Sequence, residues 1–225
     1  TEINRSLTSA VETNIEYSGA EYHYSLTLEP HNENWLFALD MPNKSPTTVK
    51  SHINADGVLQ SNESVKQRVH YQLTSQPDYQ FNQQHEPFVQ RALELPDNHH
   101  NLSKQLAQQW RSETATDEAY IQRVLSHFNQ SDFYYTLTPP LLTGDTIDGF
   151  LFNSRRGFCE HYAASFTVLM RAAGIPARVV TGYQGGEINP VNDTLVVRQR
   201  DAHAWTEVWL QDKGWVRIDP TAAVS

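Results

Sequence analysis

The chain has 225 residues, of which 39% are hydrophobic and 19% charged, and it carries a net charge of −9. That length admits one domain or two small ones, and the acidic balance excludes the basic footprint of a nucleic-acid binder or of a protein held on an anionic membrane surface. No apolar run reaches membrane-spanning length and no charged segment precedes a signal-like apolar stretch; a start at Thr1 rather than Met marks the chain as an expected piece of a longer protein whose anchors lie elsewhere.

In chain order, Tyr22–Leu28, Trp35–Leu39 and Val69–Leu73 are short β-prone runs. Turn-rich segments at Pro30–Asn34 and Pro42–Pro46 separate them, which predicts a small antiparallel β-domain. Residues 1–95 are therefore expected to form a β-rich N-terminal domain. Residues 96–225 form the second, and Pro87 to Asn101 is the candidate linker. From Leu102 the period becomes helical. Leu102, Leu106 and Trp110 share one stripe, and Ala119, Ile121, Val124, Leu125 and Phe128 share another. Thr116 or Asp117 is the expected N-cap of the second helix.

Pro139-Pro140 and Gly144-Asp145 mark a loop before the clearest element, a helix from Cys159 to Ala173. Its apolar face carries Ala163, Phe166, Leu169 and Met170; Gly174 stands where a C′ glycine belongs, and Pro176 prevents continuation. β-runs follow at Ala177–Tyr183, Thr194–Arg198, Ala202–Leu210 and Trp215–Ile218, with Gln184 to Asp193 as an intervening loop. The expected fold is α+β, one helix packed on an antiparallel sheet behind a β-rich N-terminal region.

Cys159 is the only cysteine, so it has no internal disulfide partner. It lies in the first turn of its helix, where unpaired N–H groups and the helix dipole favour a thiolate and where its own N–H is placed to hold an oxyanion. The last hairpin allows a register to be written down. With a turn at Gln211–Gly214, Trp209 pairs with Trp215, Glu207 with Arg217 and Trp205 with Asp219. His203 and Asp219 then share a face as diagonal neighbours. Ala204, Thr206, Val208, Leu210, Val216 and Ile218 form the core face. Singly, a helix-start cysteine, a strand histidine and an Asp-Pro turn each have an ordinary structural explanation. Together they make a candidate nucleophile, base and orienting carboxylate: Cys159, His203 and Asp219. Glu160 and His161 are read as structural. His99-His100 and His161 lack companion ligands at zinc spacing, so no metal is expected.

The blocks Gly157-Phe158-Cys159-Glu160-His161-Tyr162-Ala163, Gly174-Ile175-Pro176-Ala177-Arg178, Asp201-Ala202-His203-Ala204-Trp205 and Trp215-Val216-Arg217-Ile218-Asp219-Pro220-Thr221 resemble, in that order, the bacterial transglutaminase-like superfamily, whose core is related to papain-like cysteine proteases. Within it the chain is most similar to the periplasmic domain of TgpA-type inner-membrane proteins. The resemblance implies a protein-glutamine γ-glutamyltransferase. Cys159 would attack a glutamine side-chain amide, His203 would serve as base and acid, and Asp219 would orient it. A lysine amine would then resolve the thioester. It also implies protein substrates bearing Gln and Lys, a periplasmic location and membrane anchors outside this chain. In animal relatives an upstream aromatic supplies a second oxyanion donor, a part open to Tyr134 or Tyr135. Animal members need calcium, but no acidic loop here has calcium-ligand spacing, so no cofactor is expected. Trp205, Trp209 and Tyr183 are candidate substrate-binding walls. The alternatives are a cysteine protease or amidase using the same triad, or a non-catalytic scaffold.

Overall fold

The computed structural model describes residues 15–82 and 86–224. The chain divides into two compact units, Thr1–Gln83 and Gln84–Ser225.

The first unit is built of paired strands. β1 (Ile15–Ser18) pairs antiparallel with β6 (Asp78–Phe81), β2 (Tyr22–Leu28) with β5 (Val69–Ser75), and β3 (Ser51–Ile53) with β4 (Leu59–Ser61). Alternation sorts the faces of β2 and β5. Tyr24, Leu26 and Leu28 pack with the buried Tyr71 and Leu73, together with Leu36, Leu59 and Val65, while His23, Ser25 and Thr27 face water. The expected strand at Trp35–Leu39 is absent apart from a single bridge, Trp35 to Gln60. Tyrosine hydroxyls take up its backbone instead. Leu39 N–H donates to Tyr24 Oη at 2.8 Å and Phe37 N–H to Tyr71 Oη at 3.0 Å, and Tyr71 Oη donates back to Phe37 O. With those groups satisfied, the segment needs no ladder.

The second unit begins with α1 (Glu86–Arg91), inside the stretch expected to be a linker. That stretch is anchored: Ala92 is buried, Ala92 O accepts from Ala177 N–H, and Glu94 O accepts from the Arg171 guanidinium. Residues 92–94 are therefore tied to the second unit. α2 (Asn101–Ser112) and α3 (Asp117–Gln130) follow, the latter capped by the Thr116 hydroxyl, which accepts from Ala119 N–H. Next come β7 (Tyr134–Tyr135), the short α4 (Thr146–Asp148) running into a π-helical turn (Gly149–Ser154), β8 (Arg156–Gly157) and α5 (Cys159–Ala172). Gly174 has φ +81°, the left-handed C′ position expected of it.

β9 (Ala177–Tyr183), β12 (Ala202–Leu210) and β13 (Gly214–Ile218) form an antiparallel sheet in the order β13-β12-β9. The loop expected from Gln184 to Asp193 contains β10 (Glu187–Asn189), paired with β11 (Thr194–Val196). α5 lies on the sheet. Its Phe166, Leu169 and Met170 join Val208 and Leu210 in a core completed by Tyr120, Val124 and Phe128. Burying side chains of this size stabilises by about 1.5–3 kcal/mol each. Two buried hydroxyls fix α5 to β12: Thr206 Oγ1 donates to Ala163 O at 3.0 Å and lies 3.1 Å from Thr167 Oγ1. No helix among the described residues is long and apolar enough to cross a membrane.

Candidate active site

The register of the last hairpin positions the site. Trp209 pairs with Trp215 and Glu207 with Arg217, as the sequence pattern requires. Ala204, Thr206, Val208 and Leu210 are buried on one face. The other face starts with His203, and beyond the end of β13 the chain presents Asp219. His203 Nε2 lies 2.7 Å from Asp219 Oδ2. The second oxygen, Oδ1, accepts from Thr221 N–H (3.1 Å) and Thr221 Oγ1 (2.6 Å), so Asp219 also caps the 3₁₀ turn Pro220–Ala223. Burial alone would raise the Asp219 pKa, but the hydrogen bonds from Thr221 and His203 outweigh it and hold the carboxyl below the ordinary range. An ionised Asp219 keeps the proton on Nε2 and leaves Nδ1 as the nitrogen free to exchange one.

Cys159 is the first residue of α5 and is 8% exposed. It packs with Ala163 and with Ala204, the neighbour of His203 on β12. The N-cap is Phe158, which offers no side-chain oxygen. His161, read as structural, reaches back instead: Phe158 N–H donates to its Nδ1 at 3.4 Å, and the two rings meet edge to face at 4.6 Å. Burial lowers the His161 pKa, against the neighbouring Glu160, so the imidazole stays neutral and able to accept. Gly157 makes room for this turn, since a Cβ there would stand 2.7 Å from His161 Cβ.

A parallel bridge brings in the tyrosine. Tyr135 pairs with Gly157, and Thr136 N–H donates to Gly157 O at 2.8 Å. That pairing sets Tyr135 against the residue before the N-cap. Burial raises the Tyr135 pKa; the nearby Cys159 side chain and Asp219 add to this, while the Cys159 backbone opposes it, which sets the hydroxyl close to Cys159. Tyr134 instead has the Arg156 guanidinium 5.8 Å from its ring centre. Tyr135, His203, Asp219, Thr221, Ala222, Val224 and Gln184 line a cleft of about 310 Å³.

The three candidate wall residues separate. Trp205 stacks on His203 with ring centres 6.3 Å apart. Trp209 lies on the same face but six residues along β12, on the order of 20 Å from His203, so it cannot wall the cleft. Tyr183 pairs with Ala202 and shares that residue's face rather than that of His203, and its hydroxyl donates to Gln199 at 3.0 Å. Its neighbour Gln184 lines the cleft instead, a residue that carried no signal in the sequence. Among the described residues no three His, Cys, Asp or Glu side chains converge as a metal-ligand cluster.

Comparison with known proteins identifies the family. Residues 104–220 match the transglutaminase-like superfamily, and residues 3–82 match the TgpA N-terminal domain. The chain belongs to the transglutaminase-like superfamily. A Pseudomonas aeruginosa relative named protein-glutamine gamma-glutamyltransferase is 41% identical over 208 residues, covering 92% of this chain and 31% of the relative. The crystal structure of the periplasmic domain of TgpA from P. aeruginosa, bound to ethylmercury, superposes with a TM-score of 0.90 at 39% identity over 95% of this chain and 76% of that one. The uncharacterized protein YebA of Bacillus subtilis is 32% identical over 141 residues, 60% of this chain and 19% of YebA. The chain thus spans less than a third of these two curated relatives. The superfamily match covers the core, and the TgpA N-terminal match covers the strand-rich region before it.

Proposed function

We propose that the chain is the catalytic and N-terminal part of a protein-glutamine γ-glutamyltransferase acting in the periplasm, attached to the inner membrane through segments outside this sequence. The observation that carries the reading is the junction of three features: His203 bonded through Nε2 to an ionised Asp219, Tyr135 beside Cys159, and Cys159 at an N-terminus with no capping oxygen. His203 takes the thiol proton through Nδ1. The Cys159 thiolate attacks the side-chain carbonyl of a substrate glutamine, forming a C–S bond. The resulting oxyanion meets two donors, the Cys159 N–H and the Tyr135 hydroxyl. Protonated His203 returns its proton to the amide nitrogen, the C–N bond breaks, ammonia leaves and a thioester remains. A lysine amine then attacks. His203 accepts its proton, the C–S bond breaks and an isopeptide bond is left. Asp219 stabilises the imidazolium in both halves.

The TgpA resemblance and the P. aeruginosa relative's name support the amine as acceptor. Water in the same step would give deamidation. The test incubates the protein with a glutamine-donor protein and a labelled primary amine, beside Cys159→Ala. Label incorporation lost in Cys159→Ala is the expected result. Ammonia release without incorporation would assign an amidase, and cleavage of the donor a protease.

A further inference from the structure

On the exposed face of the catalytic sheet, Trp205 sits between His203 and a cation. Its ring centre is 6.3 Å from that of His203 with the planes 24° apart, and the Arg217 guanidinium carbon lies 4.2 Å from its ring centre. The residue facing His203 across the β9–β12 ladder is Gly182. A Cβ there would stand 2.9 Å from the Trp205 ring, so the glycine is what lets the indole lie across the ladder beside the imidazole. The Trp205 Nε1 is buried with no hydrogen-bond partner, so no polar bond fixes the ring; packing and the cation do.

We infer that Trp205 is a positioning residue for His203 rather than a substrate wall. The indole closes off one side of the imidazole and limits its rotation about the Asp219 bond. Arg217 and the gap at Gly182 hold the indole in place. The reason for such a device is geometric. Asp219 bonds only Nε2, and one hydrogen bond leaves the ring free to swing about that axis, carrying Nδ1 off the thiol. A displacement of about 1 Å at a reacting group costs on the order of a hundredfold in rate. The charged and titratable groups around this imidazole are Asp219, bonded to it, Tyr135 in the cleft and Arg217 beyond the indole, while the Cys159 thiol packs against Ala204, the next residue along β12.

The inference rests on the triad proposed above, and one readout is independent of acyl transfer: alkylation of Cys159 by iodoacetamide across pH, which reports the thiolate–imidazole pair without a glutamine donor. Trp205→Ala and Trp205→Phe remove or shrink the wall. Gly182→Ala displaces it while leaving Trp205 intact. Arg217→Gln removes the cation from an exposed position, with thermal melts as the folding control. The expected result is slower alkylation at neutral pH and a shifted pH profile in Trp205→Ala and Gly182→Ala, by roughly tenfold or more. Trp205→Phe and Arg217→Gln should show a smaller change in the same direction. Amine incorporation should fall in kcat, with KM for the donor changed less than about twofold, the signature of lost transition-state geometry. A raised KM with wild-type alkylation and kcat would make Trp205 a substrate wall and overturn the inference. So would a folded Gly182→Ala with an unchanged alkylation profile. If wild-type protein incorporates no amine yet the alkylation profiles shift as described, the acyl-transfer reading fails and the positioning role stands.

Discussion

Two helix N-termini of the catalytic unit solve the same electrostatic problem in opposite ways. At α2 the protein supplies the anion. Asp148, 45 and more residues downstream, accepts from Leu102 N–H and Ser103 N–H, both at 3.0 Å, and from the Ser103 hydroxyl. Asp145 accepts from the preceding His100 N–H and, at 2.8 Å, faces the His100 ring. At α5 the N-cap is a phenylalanine, and the only reach-back is a neutral imidazole that uses the N-cap's own N–H. A carboxylate at the N-cap of α5 would satisfy the same groups as at α2, but in the proposed reaction it would occupy the place where negative charge develops. On that proposal, the difference separates a terminus built for stability from one whose N-cap is left open to a transient anion.

The largest expected effect comes from removing the second donor at the free terminus. Tyr135→Phe keeps the ring that stacks on Tyr162 at 6.4 Å and deletes the hydroxyl beside Cys159. kcat for amine incorporation should drop by about 10²–10³, the usual effect of losing one oxyanion donor. Alkylation of Cys159 forms no such oxyanion and should continue. An unchanged kcat would mean that the helix start suffices alone.

Filling the free terminus is the converse. Phe158→Asp gives α5 the carboxylate that α2 has. Like charge next to the thiol disfavours thiolate, so alkylation at neutral pH should slow by about tenfold for each unit of pKa raised. Faster alkylation would contradict the comparison. Emptying the filled terminus has a smaller and purely structural consequence. Asp148→Ala should cost about 1–2 kcal/mol, as lost N-caps do, and lower the melting temperature by a few degrees. The pH profile of alkylation should stay that of the wild type.

The same contrast explains what could be read in advance. α5 and the β12–β13 hairpin were legible because their signals are local. A 3.6-residue apolar stripe ends at a glycine, and a period-2 core face from Ala204 to Leu210 admits one register around the turn. His203 and Asp219 follow from that register. Tyr135, the donor proposed above, could not be chosen over Tyr134 in sequence, because what distinguishes their surroundings is a two-residue parallel bridge to Arg156–Gly157, and such a bridge has no pattern in sequence. The capping of α2 by Asp148 is likewise non-local. Trp35–Leu39 has strand composition, but Tyr24 and Tyr71 answer its backbone from elsewhere in the fold. Trp209 looked like a cleft residue on composition alone; distance along the strand removes it.

The smallest expected effect lies in acid. Burial would raise the Asp145 pKa, but the His100 N–H, the Asp148 N–H and the His100 ring outweigh it, and the carboxyl titrates at about 2. A carboxylate depressed on folding contributes stability above its unfolded value, near 3.9, and loses that contribution as pH falls through the folded value. The window is therefore about pH 4 down to about pH 2. His100 also holds a left-handed backbone, φ +58°, that its bonds to Asp145 compensate. Asp145→Asn should lower the melting temperature of the catalytic unit by a constant margin above pH 4. That margin should close between pH 4 and pH 2, as the wild type loses the charge the variant never had. A margin that persists undiminished at pH 2 would show that Asp145 acts at this helix start as a neutral hydrogen-bond acceptor, and that the charge contrast between the two termini is not what distinguishes them.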